Sequence, residues 1–222
     1  MDTIKKLSDY ALLNGSKIRF MGVPKTIDND LAATDHTPGY GSAAKYIGSI
    51  TKEVIRDGLV YDQQNVTILE IMGRNAGWLT GAAALAKCED CEGPDMIFLP
   101  EVTFDVDEFM HKVAELHKKK KSVVVAVSEG VKTADGHYVC ELTDGIEFVD
   151  AFGHKQLTGT ARFLAEKINR EVGCKTRAIE FNSLQRCASH IVSRVDITEA
   201  YQVGGAAVKE AFEGETGKMI IL

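Results

Sequence analysis

An α/β fold, with parallel sheets wrapped by helices, is the fold class that this sequence predicts. Apolar periodicity alternates between strand-like and helix-like segments along nearly the whole chain. That order is typical of parallel strands joined by right-handed helical crossovers. Residues 122–127 form a continuous apolar run, which favours a central strand covered on both faces.

The predicted elements follow from local patterns along the chain. The segment 41–59 keeps the helical period over its apolar positions, and 65–71 is rich in β-branched residues. Helices are predicted at 3–14, 41–59, 78–87, 105–119, 158–172 and 196–212, and strands at 18–23, 65–71, 96–99, 122–127, 176–181 and 219–222. We expect Thr158 or Thr160 to cap the fifth helix and Asp196 the last. Glycines punctuate 132–155, which predicts a hairpin or a mobile loop.

The composition excludes several classes of protein. The chain has 222 residues, enough to bury a substantial core, and a net charge of −6, so binding to nucleic acid through phosphate contacts is not expected. The lysine run 118–121 ends a predicted helix, where cations complement the helix dipole. No apolar stretch reaches the roughly 18 residues that span a membrane, and the amino-terminal residues do not have the layout of a signal peptide.

Cysteine and histidine usage gives no sign of a metal centre. Five cysteines, an odd number, favour reduced thiols in the cytoplasm. Cys88 and Cys91 form a C-x-x-C motif, but no second pair follows at zinc-ribbon spacing. The motif also ends a predicted helix instead of opening one, so a structural or incidental role is expected. The histidines are scattered, without an H-x-x-x-H pair.

Residues 24–30, with the sequence PKTIDND, are the first candidate functional segment. They follow a predicted strand, and a loop at the carboxyl end of a strand is where open α/β sheets bind ligands. The segment contains a lysine, a hydroxyl and two carboxylates, which together can handle a phosphate, a metal and a proton. A surface turn is the alternative, because Pro, Asn and Asp are common turn residues.

Polar residues also follow or lie on three later strands. These candidates are Met72, Gly73 and Arg74 after the second strand, Glu129 after the fourth, and Arg177, Ser183 and Arg186 on and after the fifth. We expect the parallel strands to gather these groups and residues 24–30 at one rim of the sheet. Arginine binds phosphate bidentately and a carboxylate accepts hydrogen bonds from hydroxyls, so the set suits a phosphorylated, hydroxylated substrate. Each charge taken alone could be a solvated loop residue.

Residues 24–30 together with Met72-Gly73-Arg74 resemble the phosphofructokinase family. Residues 35–46 (DHTPGYGSAAKY) are similar to its pyrophosphate-dependent branch, and the resemblance extends from Met1 to the last strand. It implies Rossmann-like three-layer αβα domains of the phosphofructokinase type. The implied division is a partial amino-terminal domain at 1–62, a sugar-phosphate-binding domain at 63–195, and a helix and strand at 196–222 that return to the first domain.

The resemblance implies roles for residues 24–30. Asp28 falls at the general base that takes the proton from the C1 hydroxyl of fructose 6-phosphate, and Thr26 and Ile27 line the same loop. Asp30 falls at the acid associated with Mg²⁺. Lys25 stands where ATP-dependent bacterial members typically have glycine, so its charge favours pyrophosphate over ATP as donor. Some ATP-using relatives also have lysine there, so both donors stay open.

The resemblance also implies roles for the later strand ends. Met72, Gly73 and Arg74 fall at the loop that contacts sugar and phosphate, and Glu129 falls at the carboxylate that binds fructose hydroxyls. Arg177 and Arg186 match arginines that hold the 6-phosphate, one of them usually lent by a neighbouring subunit. Ser183 stands where relatives often have His or Tyr. Asn65 stands near the position where many bacterial relatives have an arginine that reaches across to a neighbouring subunit.

The implied reaction is Mg²⁺-dependent transfer of a phosphoryl group from pyrophosphate to fructose 6-phosphate, giving fructose 1,6-bisphosphate in cytoplasmic glycolysis. Lys25, Asp28 and Arg74 are the implied catalytic residues, and the complete enzyme is expected to be a homo-oligomer. The family's Gly-Gly-Asp donor loop is absent from this sequence, so we expect a chain truncated at both ends and inactive alone. The alternatives are an ATP-dependent 6-phosphofructokinase and a non-catalytic sugar-phosphate-binding or regulatory subunit.

Overall fold

The computed structural model describes residues 2–142 and 158–222. Its helices are α1 (Asp2–Leu13), α2 (Tyr40–Leu59), α3 (Trp78–Gly81), α4 (Val106–Lys119), α5 (Thr160–Glu171), α6 (Leu184–Cys187) and α7 (Arg194–Glu213). Its strands are β1 (Met21–Gly22), β2 (Asn65–Ile71), β3 (Met96–Phe98), β4 (Ser122–Ser128), β5 (Lys175–Glu180) and β6 (Lys218–Met219). Short 3₁₀ turns lie at Ala82–Ala86, Val139–Leu142 and Ser189–Ile191.

The chain divides into two compact units. The first consists of residues 1–42 and 190–222, and the second of residues 43–189. The domain boundaries at 62/63 and 195/196 stay a prediction for the complete protein.

A four-stranded parallel sheet organises the unit of residues 43–189, in the order β3-β4-β2-β5. Every residue of β2 and of β4 is buried, as the apolar run at 122–127 predicts for a central strand. The two strands are in register from Asn65 opposite Ser122 to Ile71 opposite Ser128, so they end together. The α/β class with parallel strands and flanking helices is confirmed.

The core of this unit packs between the sheet and its helices. Val66 and Ile68 of β2 are fully buried together with Val123 and Val125 of β4. Phe109 of α4 joins an aromatic group with Phe98 and Phe104, whose ring centroids lie 5.0–5.5 Å apart. Burial of these apolar side chains is the largest favourable contribution to folding and fixes the position of the strand ends.

The unit of residues 1–42 and 190–222 has a much smaller sheet. β1 pairs in parallel with β6, Met21 opposite Lys218 and Gly22 opposite Met219. Strands longer than this were predicted at 18–23 and 219–222. Ile18 and Val23 are exposed, and Phe20 donates its backbone N–H to the Thr216 hydroxyl instead of to a strand carbonyl. Regular pairing is therefore confined to two residues of each strand.

Two predicted helix caps are wrong. Gly159, in the left-handed region at φ 105°, precedes α5, and neither Thr158 nor Thr160 caps it. Ser193 precedes α7, and the Asp196 carboxylate accepts hydrogen bonds from the backbone and hydroxyl of Ser42 instead. In contrast, Asp105 caps α4 by accepting from the backbone N–H groups of Asp107 and Glu108, both at 2.9 Å.

The segment predicted at 132–155 lies partly outside the described residues. In its described part, Lys132 pairs with Tyr138 as an isolated bridge before the turn at Val139–Leu142. No helix within residues 2–142 and 158–222 is long and apolar enough to cross a membrane.

Candidate active site

Two of the predicted groups meet at the carboxyl edge of the four-stranded sheet. Gly73 follows β2 and Glu129 follows β4, and the Glu129 Oε1 lies 3.4 Å from the backbone nitrogen of Gly73. The Ser128 hydroxyl donates to the Gly73 carbonyl at 2.6 Å. The in-register pairing of β2 with β4 brings the two strand ends together, as the sequence predicts for this pair.

Close backbone packing fixes the chain around Arg74. Gly73 has a φ of +134°, a backbone conformation that residues other than glycine rarely adopt. A methyl group on Gly130 would lie 2.1 Å from the Arg74 carbonyl oxygen, so only glycine lets the two backbones pass at this distance. Arg74 and Glu129 are both half-buried.

Gln185 ties a third predicted group to the same edge. It is buried, its Oε1 accepts from the Met72 backbone N–H at 3.3 Å, and its Nε2 donates to the Asn182 carbonyl at 3.0 Å. Ser183 and Arg186, on either side of it in sequence, are exposed. Sequence reasoning did not select Gln185 as a site residue; the signal was an amide directly before Arg186.

Arg177 does not lie at this edge. It is the third residue of β5 and stands opposite Thr67, four residues or roughly 13 Å before the end of β2. Its guanidinium donates to Asp57 at 2.8 Å and lies 5.2 Å from the centre of the Tyr61 ring. The prediction that Arg177 joins the other groups at one rim is wrong, because Arg177 lies in the amino-terminal half of β5, away from the carboxyl end of that strand.

Glu70 is a second residue that sequence reasoning missed. It is buried near the end of β2, and its carboxylate accepts from the backbone N–H of Ala161 at 2.8 Å and of Gly159 at 3.2 Å. This carboxylate supplies the cap for α5. Burial, with the charges of Glu180 and Glu129, raises the pKa of Glu70 to about 7. The signal was a lone acid inside an apolar strand.

Residues 24–30 follow β1 of the two-stranded sheet, not a strand of the larger sheet. The expectation that all four groups lie on strands of one sheet is therefore wrong. The physical reason is that β1 finds its strand partner in β6, near the end of the chain.

Local hydrogen bonds hold residues 24–30. The backbone N–H of Asp28 donates to the Thr26 hydroxyl at 3.1 Å. Thr37 is fully buried and donates its hydroxyl to the Thr26 carbonyl at 2.6 Å. Asn29 has a φ of 56°, a conformation that Asn tolerates better than most residues. Lys25 and Asp30 are exposed at the two ends, and Thr26, Ile27 and Asp28 are half-buried.

The turn that opens α2 is anchored within the same unit. Asp196 of α7 is buried and accepts from Ser42, whose hydroxyl in turn accepts from the Ser193 backbone N–H at 2.9 Å. The Nε2 of His36 lies 2.6 Å from the Glu199 carboxylate. These contacts tie residues 36–42 to the first turns of α7.

The described residues offer few ligands to a metal ion. Within residues 2–142 and 158–222, no group of three or more His, Cys, Asp or Glu side chains could hold one. Asp30 presents a single exposed carboxylate. This suits Mg²⁺, which commonly takes one or two carboxylates and completes its shell with water and substrate phosphates.

Known proteins resemble the chain along its whole length. The phosphofructokinase family matches residues 1–211. The pyrophosphate–fructose 6-phosphate 1-phosphotransferases of Halomonas elongata and Xanthomonas campestris are 40% and 42% identical over 98% and 96% of this chain. Those matches cover 52% and 51% of the relatives, so the chain spans about half the length of the curated relatives it matches.

A solved structure gives the same result for the fold. The pyrophosphate-dependent phosphofructokinase of Marinobacter aquaeolei superposes with a TM-score of 0.79 at 36% identity, over 97% of this chain and 50% of its own. The family match over nearly the whole sequence, the shared fold and the Met72-Gly73-Arg74 loop beside Glu129 agree. This chain belongs to the phosphofructokinase family.

Proposed function

We propose that the complete protein transfers a phosphoryl group from pyrophosphate to the C1 hydroxyl of fructose 6-phosphate. One observation carries the proposal: the backbone N–H groups of Met72 and Gly73 meet the Gln185 amide and the Glu129 carboxylate at a sheet edge, directly before Arg74. This edge offers a carboxylate, backbone groups and guanidinium groups together, which suits a sugar phosphate. The names of the similar relatives give the same substrate pair. Glycolysis in the cytoplasm is the proposed setting.

Within the unit of residues 43–189, each group has a proposed contact. The Glu129 carboxylate accepts hydrogen bonds from sugar hydroxyls, and Met72 and Gly73 contact the sugar through the loop backbone. Arg74 and Arg186 neutralise phosphate charge, and Ser183 takes the place of a longer side chain beside them. Arg177 donates to Asp57 and lies away from this edge. In a homo-oligomer, it is proposed to bind the 6-phosphate of the sugar that a neighbouring subunit holds.

Within residues 24–30, Asp28 is the proposed general base. Its carboxylate takes the proton of the C1 hydroxyl, the C1 oxygen bonds to a phosphorus of pyrophosphate, and the bridging P–O bond breaks to release orthophosphate. The Thr26 hydroxyl, which accepts from the Asp28 N–H, holds the loop around the base, and Ile27 lines it. Such a transfer needs mainly alignment and neutralisation of charge, so Lys25 and Arg74 are proposed to contribute by their positive charge.

Mg²⁺ is the proposed cofactor, with Asp30 as the protein carboxylate that would hold it. When bound, the ion neutralises negative charge on the phosphates. Asp30 is exposed and can reach an ion directly or through water.

The proposed donor follows from Lys25. An exposed ammonium at this position attracts a compact, highly charged anion and occupies space that a nucleotide needs. In the complete protein, pyrophosphate should support turnover and ATP should not. Lys25→Gly should reduce the ratio of kcat/KM for pyrophosphate to that for ATP; an unchanged ratio would remove Lys25 from this role, and turnover with ATP alone would favour the ATP-dependent enzyme.

Substitution of the base tests the function itself. Asp28→Asn keeps the size of the side chain but cannot accept the proton, so kcat should fall by roughly 10²- to 10⁴-fold while KM for fructose 6-phosphate changes little. Asp35→Asn, at an exposed carboxylate in the same unit, is the control and should keep the activity. An unchanged kcat in Asp28→Asn would sink the assignment. Binding of fructose 6-phosphate without any turnover would favour the non-catalytic subunit.

A further inference from the structure

Cys88 and Cys91 face each other across a tight turn after the Ala82–Ala86 segment. The Cys88 N–H donates to the Cys91 carbonyl at 2.9 Å, and the Cys91 N–H donates to the Cys88 carbonyl at 3.2 Å. Residues that exchange both hydrogen bonds in this way have Cα atoms about 5.5 Å apart. A disulfide typically joins Cα atoms about 4.4–6.8 Å apart, so the backbone is already close enough for one.

The two thiols differ in access. Cys88 is exposed and Cys91 is buried, with 7% of its surface accessible. Both line an open cleft of about 780 Å³ within the unit of residues 43–189, together with residues of α2 and the start of β4. A small molecule can therefore reach the exposed Cys88 before it reaches the buried Cys91.

Charged groups surround the Cys88 sulfur. The Lys52 Nζ lies 3.0 Å from it, and the Asp90 Oδ1 also lies 3.0 Å from it. Hydrogen bonds from Cys88 and Lys52 lower the pKa of Asp90, so this carboxylate stays ionised and able to accept the thiol hydrogen. The Lys52 ammonium can donate a hydrogen bond to the Cys88 sulfur when that sulfur attacks another sulfur.

We propose that Cys88 and Cys91 form a thiol–disulfide exchange site that takes small-molecule disulfides such as glutathione disulfide. The Cys88 thiol gives its proton to solvent, its sulfur bonds to one sulfur of the small disulfide, and the first small thiol leaves. The sulfur of Cys91, after losing its own proton to solvent, then bonds to the Cys88 sulfur and releases the second small thiol. The two protein thiols are oxidised to one disulfide, and the small disulfide is reduced to two thiols.

Oxidation changes the local contacts. A disulfide sulfur has no hydrogen to donate, so Asp90 loses its bond from Cys88 and keeps those from Lys52 and Arg56. The two cysteines that line this part of the cleft are then joined by a covalent bond. The sequence alone favoured a structural role for this motif; the exposed thiol between Lys52 and Asp90 is what points to exchange.

Peptide mapping tests the site directly. Trypsin should release residues 88–112 as one peptide that contains Cys88 and Cys91 and no other cysteine. After incubation with glutathione disulfide and quenching with N-ethylmaleimide, this peptide should lack both maleimide groups and be two hydrogens lighter than the reduced form. Cys187 is an exposed cysteine without such a neighbour and serves as the internal control, with at most a mixed disulfide. Two maleimide groups on the peptide at every glutathione disulfide concentration tried would overturn the proposal.

Variants separate the two steps. Cys91→Ala should accumulate glutathione on Cys88, whereas Cys88→Ser should leave Cys91 reduced. Lys52→Gln removes the ammonium that lies 3.0 Å from the Cys88 sulfur and should slow alkylation of Cys88 roughly threefold or more, while Lys121→Gln, at a lysine that lines the cleft, should leave the rate unchanged. Equal rates in the two lysine variants, or an unmodified Cys88 in Cys91→Ala, would contradict the mechanism.

Discussion

The two units position their candidate residues by different means. In residues 43–189, Met72 and Glu129 each follow a seven-residue strand that is buried throughout, and the strands end in register. In the other unit, residues 24–30 follow a two-residue strand. Two hydrogen bonds hold them: the Thr37 hydroxyl donates to the Thr26 carbonyl, and the Asp28 N–H donates to the Thr26 hydroxyl. A sheet therefore sets the first group, and local turn chemistry sets the second.

This difference predicts how each region responds to substitution. Positions at the sheet edge depend on close packing and on buried polar groups, so small changes there should cost much stability. Residues 24–30 depend on a few bonds, so changes should cost little stability and act mainly on activity. The predictions that follow test this contrast, beginning with the largest expected effect.

Gly130→Ala should cause the largest loss. The added methyl group would lie 2.1 Å from the Arg74 carbonyl oxygen, which is main chain and cannot move without shifting the loop. We expect a decrease of about 4 kcal/mol or more in the free energy of unfolding, measured by urea denaturation. Gly204→Ala, in α7, meets nothing within 4 Å and should be neutral or stabilising by up to about 1 kcal/mol. Equal effects would show that the edge is loosely packed.

Glu70→Gln should remove a pH dependence. The pKa of Glu70 is raised from 4.5 to about 7 in the folded chain, so its protonated form is favoured there. The free energy of unfolding should therefore fall by about 3 kcal/mol as pH rises from 4.5 through 7. Glu70→Gln should flatten this part of the profile, and Glu166→Gln, exposed on α5, should not. A wild-type profile without this fall would contradict the burial of an ionisable Glu70.

Gln185→Leu should weaken the sheet edge. It leaves the Met72 N–H and the Asn182 carbonyl without their partner, which should cost about 2 kcal/mol in thermal or urea unfolding. If the edge binds the sugar phosphate, KM for fructose 6-phosphate should rise as well. Gln202→Leu, exposed on α7, is the matched control and should change neither quantity. A stable variant with unchanged KM would separate Gln185 from the site.

Thr37→Val should have the smallest effect on stability, about 1 kcal/mol, because the hydroxyl's bond to the Thr26 carbonyl and its longer contact with the Asn29 side chain at 3.4 Å are lost. If it holds the catalytic loop, kcat should fall more than stability does. Thr51→Val is the control: among the described residues no hydrogen-bond partner reaches the buried Thr51 hydroxyl, so its loss should be neutral or stabilising. A larger loss in Thr51→Val than in Thr37→Val would reverse the comparison.

The sequence predicts those parts of the fold that depend on apolar patterning. Strand β2 has the predicted bounds, 65–71, because its β-branched run is buried throughout. The parts that were missed depend on polar side chains with distant partners. Asp196 bonds Ser42 instead of capping α7, and Glu70 caps α5 from a strand. No local pattern shows such pairings, since the partners are far apart in sequence.

The candidate site follows the same rule. The pairing of Gly73 with Glu129 was predictable, because both follow apolar strands of one sheet. Gln185 was missed because its burial depends on tertiary packing. Arg177 was misplaced because it was grouped with residues that follow β5, although it lies near the amino-terminal end of that strand. The assignment of Asp28 as base rests on the family resemblance and stays a proposal.

The pairing of β1 with β6 has a consequence for synthesis of the chain. The strand that leads into residues 24–30 is completed only by Lys218 and Met219, after all of residues 43–189 have been made. On the ribosome, the unit of residues 43–189 has its own sheet and core and can fold first, whereas β1 must wait for its partner. Closing so long an intervening segment is entropically easier once that segment is compact. The proposed catalytic loop is therefore among the last parts of the chain to become ordered.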